Sequence, residues 1–181
     1  MAITNEGICK LCGKKRKLTF EHVPPNKAFN SETVVNYFLK DINDTAPMID
    51  ESEISEKNIY GKDNQRGGGG YYLCGDCNNN TGSWYMDEYV DLAHAFHSII
   101  KTSNLSVGQS CSFSIKTHPL RILKAILTMH CDISDNCFGD DQIREFILNK
   151  ESKSFDSEKY KLYIFMVSPN ASFLWDILYE H

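Results

Sequence analysis

The chain has 181 residues, a net charge of −5 and seven cysteines. That length suits one domain, or one and a half, with enough chain for a real core, and no apolar run approaches a membrane span. An acidic balance disfavours nucleic acid as a partner unless a local basic patch supplies the charge.

The opening Met1-Ala2-Ile3-Thr4-Asn5-Glu6-Gly7 lacks a signal peptide's apolar segment, so the expected setting is cytoplasmic. In a reducing compartment, paired cysteines serve as metal ligands more often than as disulfides. Residues 1–17 read as a short lead and a tight turn, Cys9-Lys10-Leu11-Cys12. Residues 18–23 read as a strand with Leu18, Phe20 and Val23 available to the core, and Pro24-Pro25 end it because neither can donate to a ladder. Ser31 to Leu39 reads as a helix capped by Ser31, with Val34, Val35, Phe38 and Leu39 as its apolar stripe. Residues 40–66 collect Asp41, Asp44, Asp50, Glu51, Glu53 and Glu56 and read as a flexible acidic insertion. Gly67–Gly70 do not match a nucleotide-binding loop and are read as a hinge before the strand Tyr71-Tyr72-Leu73.

From Asn79 to Lys101 the apolar residues Tyr85, Tyr89, Leu92, Phe96 and Ile99 recur at helical spacing. Gly82 weakens the first turn and calls for compensation by close packing or a nearby backbone, while His94 and His97 lie off the stripe as surface histidines. The polar stretch 102–110 is the expected boundary between a first unit, 1–104, and a second, 110–181. The second unit reads as a strand from Cys111 to Thr117, a helix from Pro119 through His130, and a short helix after Asp140 or Asp141 carrying Ile143, Phe146 and Ile147. Strands follow at Tyr160–Val167 and Ser172–Tyr179, making a small α+β accessory unit. Its apolar end invites a protein partner or a second copy of the chain. Cys111, Cys131 and Cys137 are left over as structural thiols.

The strongest signal is the pairing of Cys9-x-x-Cys12 with Cys74-Gly75-Asp76-Cys77, two knuckles that together offer four thiolates to a tetrahedral zinc ion. Between them lies Leu18-Thr19-Phe20-Glu21-His22-Val23-Pro24-Pro25, and Asn78 follows the last cysteine directly. Over residues 9–90 this arrangement resembles the HNH (His-Me finger) endonucleases, in the variant where Asn replaces the final His. The resemblance implies an α+β fold with a zinc-stapled, treble-clef-like ββα-metal domain. It further implies that Glu21 and Asn78 hold Mg²⁺ or another divalent cation and that His22 is the general base. A middle Asn of the motif should brace the loop between the strands, with Asn58 and Asn64 as the candidates. The implied activity is hydrolysis of phosphodiester bonds in nucleic acid, most naturally DNA, in a bacterial or phage defence, restriction or mobile-element setting.

The residue types suit that chemistry. Carboxylate and amide oxygens are ligands for a hard cation, and a neutral imidazole can take a proton from water near neutral pH. The closed four-thiolate shell is structural, since it keeps no open position. Lys14, Lys15, Arg16 and Lys17 crowd the first knuckle and could neutralise backbone phosphates. One conflict is legible: neighbours on a regular strand face opposite ways, so Glu21 and His22 require the strand to end or distort there. The competing reading is a zinc-stapled module without catalysis that binds nucleic acid or a partner protein.

Overall fold

A computed structural model describes residues 5–36, 62–64, 67–104, 109–110, 112–134 and 141–154. In chain order these form β1 (Glu6–Ile8), β2 (Lys15–His22), β3 (Val34–Asn36), β4 (Lys62–Asn64), β5 (Gly69–Cys74), α1 (Gly75–Thr81), a π-helical turn (Gly82–Met86), α2 (Asp87–Ser103), α3 (Pro119–Ile133) and α4 (Asp141–Leu148). The fold is mixed α+β: an antiparallel sheet of order β1-β2-β5, a separate β3-β4 ladder, and helices packed on the sheet.

The turn between β1 and β2 is closed by its own backbone. Cys9 N donates to Lys14 O at 3.0 Å and Gly13 N to Cys9 O at 2.8 Å, with Gly13 at φ 68°, where a residue without Cβ is unstrained. β2 pairs with β5 as Leu18↔Cys74 and Thr19↔Leu73, then resumes at Phe20↔Tyr71. Tyr72 is therefore the extra residue of a β-bulge. β5 runs into α1 with Cys74 still extended at ψ 159°, so the second knuckle straddles a strand-to-helix junction.

Several sequence expectations change here. Residues expected to start a helix at Ser31 instead give β3, because the β-branched pair Val34-Val35 finds an antiparallel partner in Asp63-Asn64. That partner lies inside the segment expected to be a wholly flexible insertion; residues 37–61 lie outside the described residues. Gly69 and Gly70 belong to a strand, not a hinge, and the long helix begins at Gly75 rather than Asn79. Nothing lies within 4 Å of where a Gly82 Cβ would be, so close packing does not compensate that glycine; it opens the π turn instead. β1 was not anticipated, and residues 112–118 form no strand. The expected strands at 160–167 and 172–179 lie outside the described residues. Cys131 is fully buried and disulfide-bonded rather than a thiol.

One apolar cluster takes side chains from both sides of the expected boundary: Cys9, Leu11, Leu73 and Tyr85 with Ala125, Leu127, Ile143, Phe146 and Ile147. Two polar ties reinforce it. Tyr85 Oη donates to Ile147 O at 2.8 Å, and buried Lys124 donates to Asn149 O at 2.6 Å while its ammonium lies 4.5 Å from the Phe146 ring centroid. Both act at the C-terminal end of α4, where carbonyls lack helical partners and a cation is favourable. Among the described residues no helix is long and apolar enough to cross a membrane.

Tyr85 is the test of this shared core. Tyr85→Phe should cost about 1 kcal/mol by urea unfolding, for one lost hydrogen bond, and Tyr85→Ala about 3–5 kcal/mol. A Tyr85→Ala cost below about 1 kcal/mol would mean that α4 is not held by this contact.

Candidate metal centre and the adjoining strand

Four sulfurs converge where the two knuckles meet. The Sγ atoms of Cys9, Cys12, Cys74 and Cys77 all lie within 4.8 Å of one another, and Cys12 and Cys74 are 4.0 Å apart. A tetrahedron of thiolates about 2.3 Å from zinc has edges of about 3.8 Å, so the sulfurs lie close enough together to hold such an ion. Three of the four cysteines are buried, and Cys74 N donates to Cys9 Sγ at 3.3 Å. The thiols compete for charge: a hydrogen bond from Cys77 pulls Cys9 down to about 4, and the same bond, joined by burial, pushes Cys77 far up. Four thiolates cannot coexist there without a cation, which is the donor chemistry of a structural zinc site.

β2, β5 and α1 form a small ββα-like arrangement around this cluster. Asn78 reaches back from α1 to β2: its Nδ2 donates to Thr19 Oγ1 at 3.0 Å and to Phe20 O at 3.4 Å. Thr19 passes the chain of bonds on to Leu73 O at 3.1 Å. With its nitrogen committed to the strand, Asn78 has its Oδ1 for any other partner.

Glu21 and His22 are the last two residues of β2, and the strand alternates through them without distortion. The His22 ring meets Phe20 edge-on, with centroids 5.0 Å apart, and Phe20 meets Tyr71 at 5.6 Å. His22, Phe20 and Tyr71 therefore share one face. Thr19 and Glu21 take the other, on the side of α1 and Asn78. Glu21 is 8% exposed, and burial raises its carboxyl to about 7. The structure thus brings Glu21 and Asn78 to one face and sets His22 on the opposite one.

The loop after His22 is braced by a residue that sequence reasoning missed. Asn30, itself buried, donates from Nδ2 to Pro24 O at 2.5 Å and Gly68 O at 2.8 Å, while its Oδ1 accepts from Gly68 N at 2.6 Å. One side chain thereby joins the chain leaving β2 to the chain entering β5, and Val23 N adds a bond to Gly68 O at 3.1 Å. Gly67 sits beside it at φ 89°, where a Cβ would collide with the Asn30 carbonyl. Of the two asparagines expected to brace this loop, Asn64 pairs with Val34 in the other ladder, and Asn58 lies outside the described residues. An Asn shortly after Pro-Pro, followed much later by a glycine run, was the available signal.

Lys14, Lys15, Arg16 and Lys17 are all exposed. Arg16 pairs with Asp76 at 2.8 Å, and with Lys17 both line an open groove of about 440 Å³ at the start of α1. His94 and His97 are exposed and gather around Phe29, with ring centroids 4.6 and 4.7 Å away. No protein-family model, curated protein or solved structure matches the chain.

Purified protein should carry one tightly held zinc per chain, retained in His22→Ala and lost together with folding in Cys74→Ser, by elemental analysis and circular dichroism. Zinc-free, well-folded protein would end the argument for this centre.

Glu21 gives a pH test. Its folded pKa, about 7, lies above the ordinary 4.5, so the folded state holds the extra proton. Its contribution is therefore complete below 4.5 and is lost as pH rises through 7. Between about pH 5.5 and 7.5 the zinc-loaded protein should lose about 2 kcal/mol more stability than Glu21→Gln does. Parallel pH profiles for the two proteins would show that Glu21 is not held in a charge-hostile site.

Proposed function

We propose that the chain is a metal-dependent endonuclease of the HNH type, cutting phosphodiester bonds in nucleic acid, most naturally DNA. The observation that carries this reading is the joining of a four-cysteine centre to a ββα-like unit in which Asn78 is bonded to the strand that ends in Glu21-His22. A treble-clef-like frame of this kind needs its zinc only as a staple. Glu21 and the Oδ1 of Asn78, both on the α1 side, fit a hard cation such as Mg²⁺ as oxygen donors. When bound, that cation supplies Lewis-acid stabilisation of charge on phosphoryl and leaving oxygens. His22 takes the proton of the attacking water on an imidazole nitrogen, from the other side of the strand end. A phosphate seated at that end, where β2 gives way to Val23-Pro24, is reached by both neighbours, whereas one lying flat on either face is not. Asn30 keeps this end in place by tying it to Gly68. Exposed Lys14, Lys15 and Lys17 follow the flanking backbone as phosphate contacts.

A second reading is favoured by the alternation itself. With Glu21 and His22 on opposite faces, the same frame serves as a zinc-stapled module that binds nucleic acid or a partner protein without cutting. Plasmid cleavage with and without Mg²⁺ separates the two. Under the nuclease reading, wild type nicks or linearises DNA only with the cation. His22→Ala folds, keeps zinc and still binds DNA, yet cuts roughly 10²–10⁴-fold more slowly. Equal cleavage by the two proteins would sink the proposed mechanism, and DNA binding without any cleavage would establish the module.

A further inference from the structure

Asp132, in the last turn of α3, is the least satisfied group in the described structure. It is 0% exposed, and among the described residues neither Oδ1 nor Oδ2 has a hydrogen-bond partner. An ionised carboxylate cannot be left so in a protein interior without a large desolvation cost, and an orphaned group of this kind marks a missing ion, water or chemical role. Its main chain is linked through Lys10 and Tyr72 toward the strand end. Asp132 O and Ser134 O each accept from Lys10 Nζ at 2.8 Å, and that ammonium lies 5.1 Å from the centroid of the Tyr72 ring. The Tyr72 ring lies over Gly70, where a Cβ would meet its Cζ at 2.5 Å, and Gly70 is the β5 partner of Glu21. Glu21, Tyr72, Lys10 and Asp132 therefore occupy the same side of the sheet.

We infer that the carboxylates of Asp132 and Glu21, from α3 and β2, together face one site for a hard divalent cation. Two carboxylates and no thiolate select Mg²⁺, Mn²⁺ or Ca²⁺ over zinc, which has its own sulfur site. Electrostatics agree. Burial and then the charge of Glu21 push Asp132 up to about 9, with Lys10 only partly opposing, and a cation between the two carboxylates relieves both. Helix α3 thus completes the site from beyond the expected domain boundary. The inference rests on the reading of Glu21 as a cation ligand, but not on nuclease activity.

The test is Mn²⁺ binding to the zinc-loaded full chain, followed by loss of the free-ion paramagnetic resonance signal and competed with Mg²⁺. Wild type should bind one Mn²⁺ beyond its zinc. Asp132→Asn should fold, because no hydrogen bond to the carboxylate is lost. It should keep its zinc and bind Mn²⁺ at least about tenfold more weakly, as should Glu21→Gln. Wild type alone supplies a second readout: Mn²⁺ should broaden the amide resonances of residues 20–22 and 131–133 together. Unchanged affinity in Asp132→Asn, no Mn²⁺ bound by wild type, or broadening confined to 20–22 would each overturn the inference. Loss of affinity in Glu21→Gln alone would overturn it while sparing Glu21 as a ligand. Mn²⁺ binding by both carboxylates in a protein that cuts no nucleic acid would uphold this site and remove the nuclease.

Discussion

Four thiols brought within 4.8 Å cannot all ionise unless a cation neutralises them, and the geometry around them depends on that condition. Two sulfurs come from the β1–β2 turn and two from the junction of β5 with α1, positions 62 apart across the Cys12–Cys74 pair. The turn is further sewn to the sheet by Lys10 N donating to Tyr72 O at 3.1 Å. Closing so long a loop costs entropy that grows only slowly with its length, so a metal at this point can hold the hairpin, the returning strand and the helix start together. Leu11 and Leu73, buried beside the cysteines, then continue directly into the apolar core formed with α3 and α4.

What the sequence disclosed follows the range of the forces involved. The knuckles were legible because C-x-x-C is a local device: each turn presents its two ligands regardless of the rest of the chain. The helices were legible from their periodicity, including Asp141–Leu148 with its buried Ile143, Phe146 and Ile147. β3 was not, because Val34-Val35 became a strand only when residues 62–64 supplied a ladder, and no local pattern announces a partner so distant. Asn30 was missed for the same reason. Its value lies in bonding Gly68 across the loop, a relation between two backbones that neither segment shows alone.

The alternation of β2 was also legible, and it turned out to be stricter than the prolines suggested. Phe20 and His22 keep one face while Glu21 is driven inward, where burial resists its charge. A carboxylate placed so is a poor surface group and a reasonable ligand, since a cation returns the solvation that burial removed. His22 on the other face stays beside aromatic rings and the strand end. The alternation thus gives the two neighbours different environments: Glu21 is buried where its charge is disfavoured, and His22 lies edge-on to the Phe20 ring.

Helix α3 belongs to the same physical argument. Lys10, the residue after Cys9, directs its ammonium to the carbonyls at the C-terminus of α3, where the helix's partial negative charge favours a cation. That contact fixes the end of α3 against the sheet and carries Asp132 inward with it. If residues beyond the polar 102–110 stretch served only as a separate unit, an apolar side chain would fill the position of Asp132 better than an unpartnered carboxylate does. Its presence there means that α3 contributes a buried polar group to the cluster it shares with the sheet. Among the described residues, side chains from both sides of the boundary drawn from composition meet in one apolar cluster.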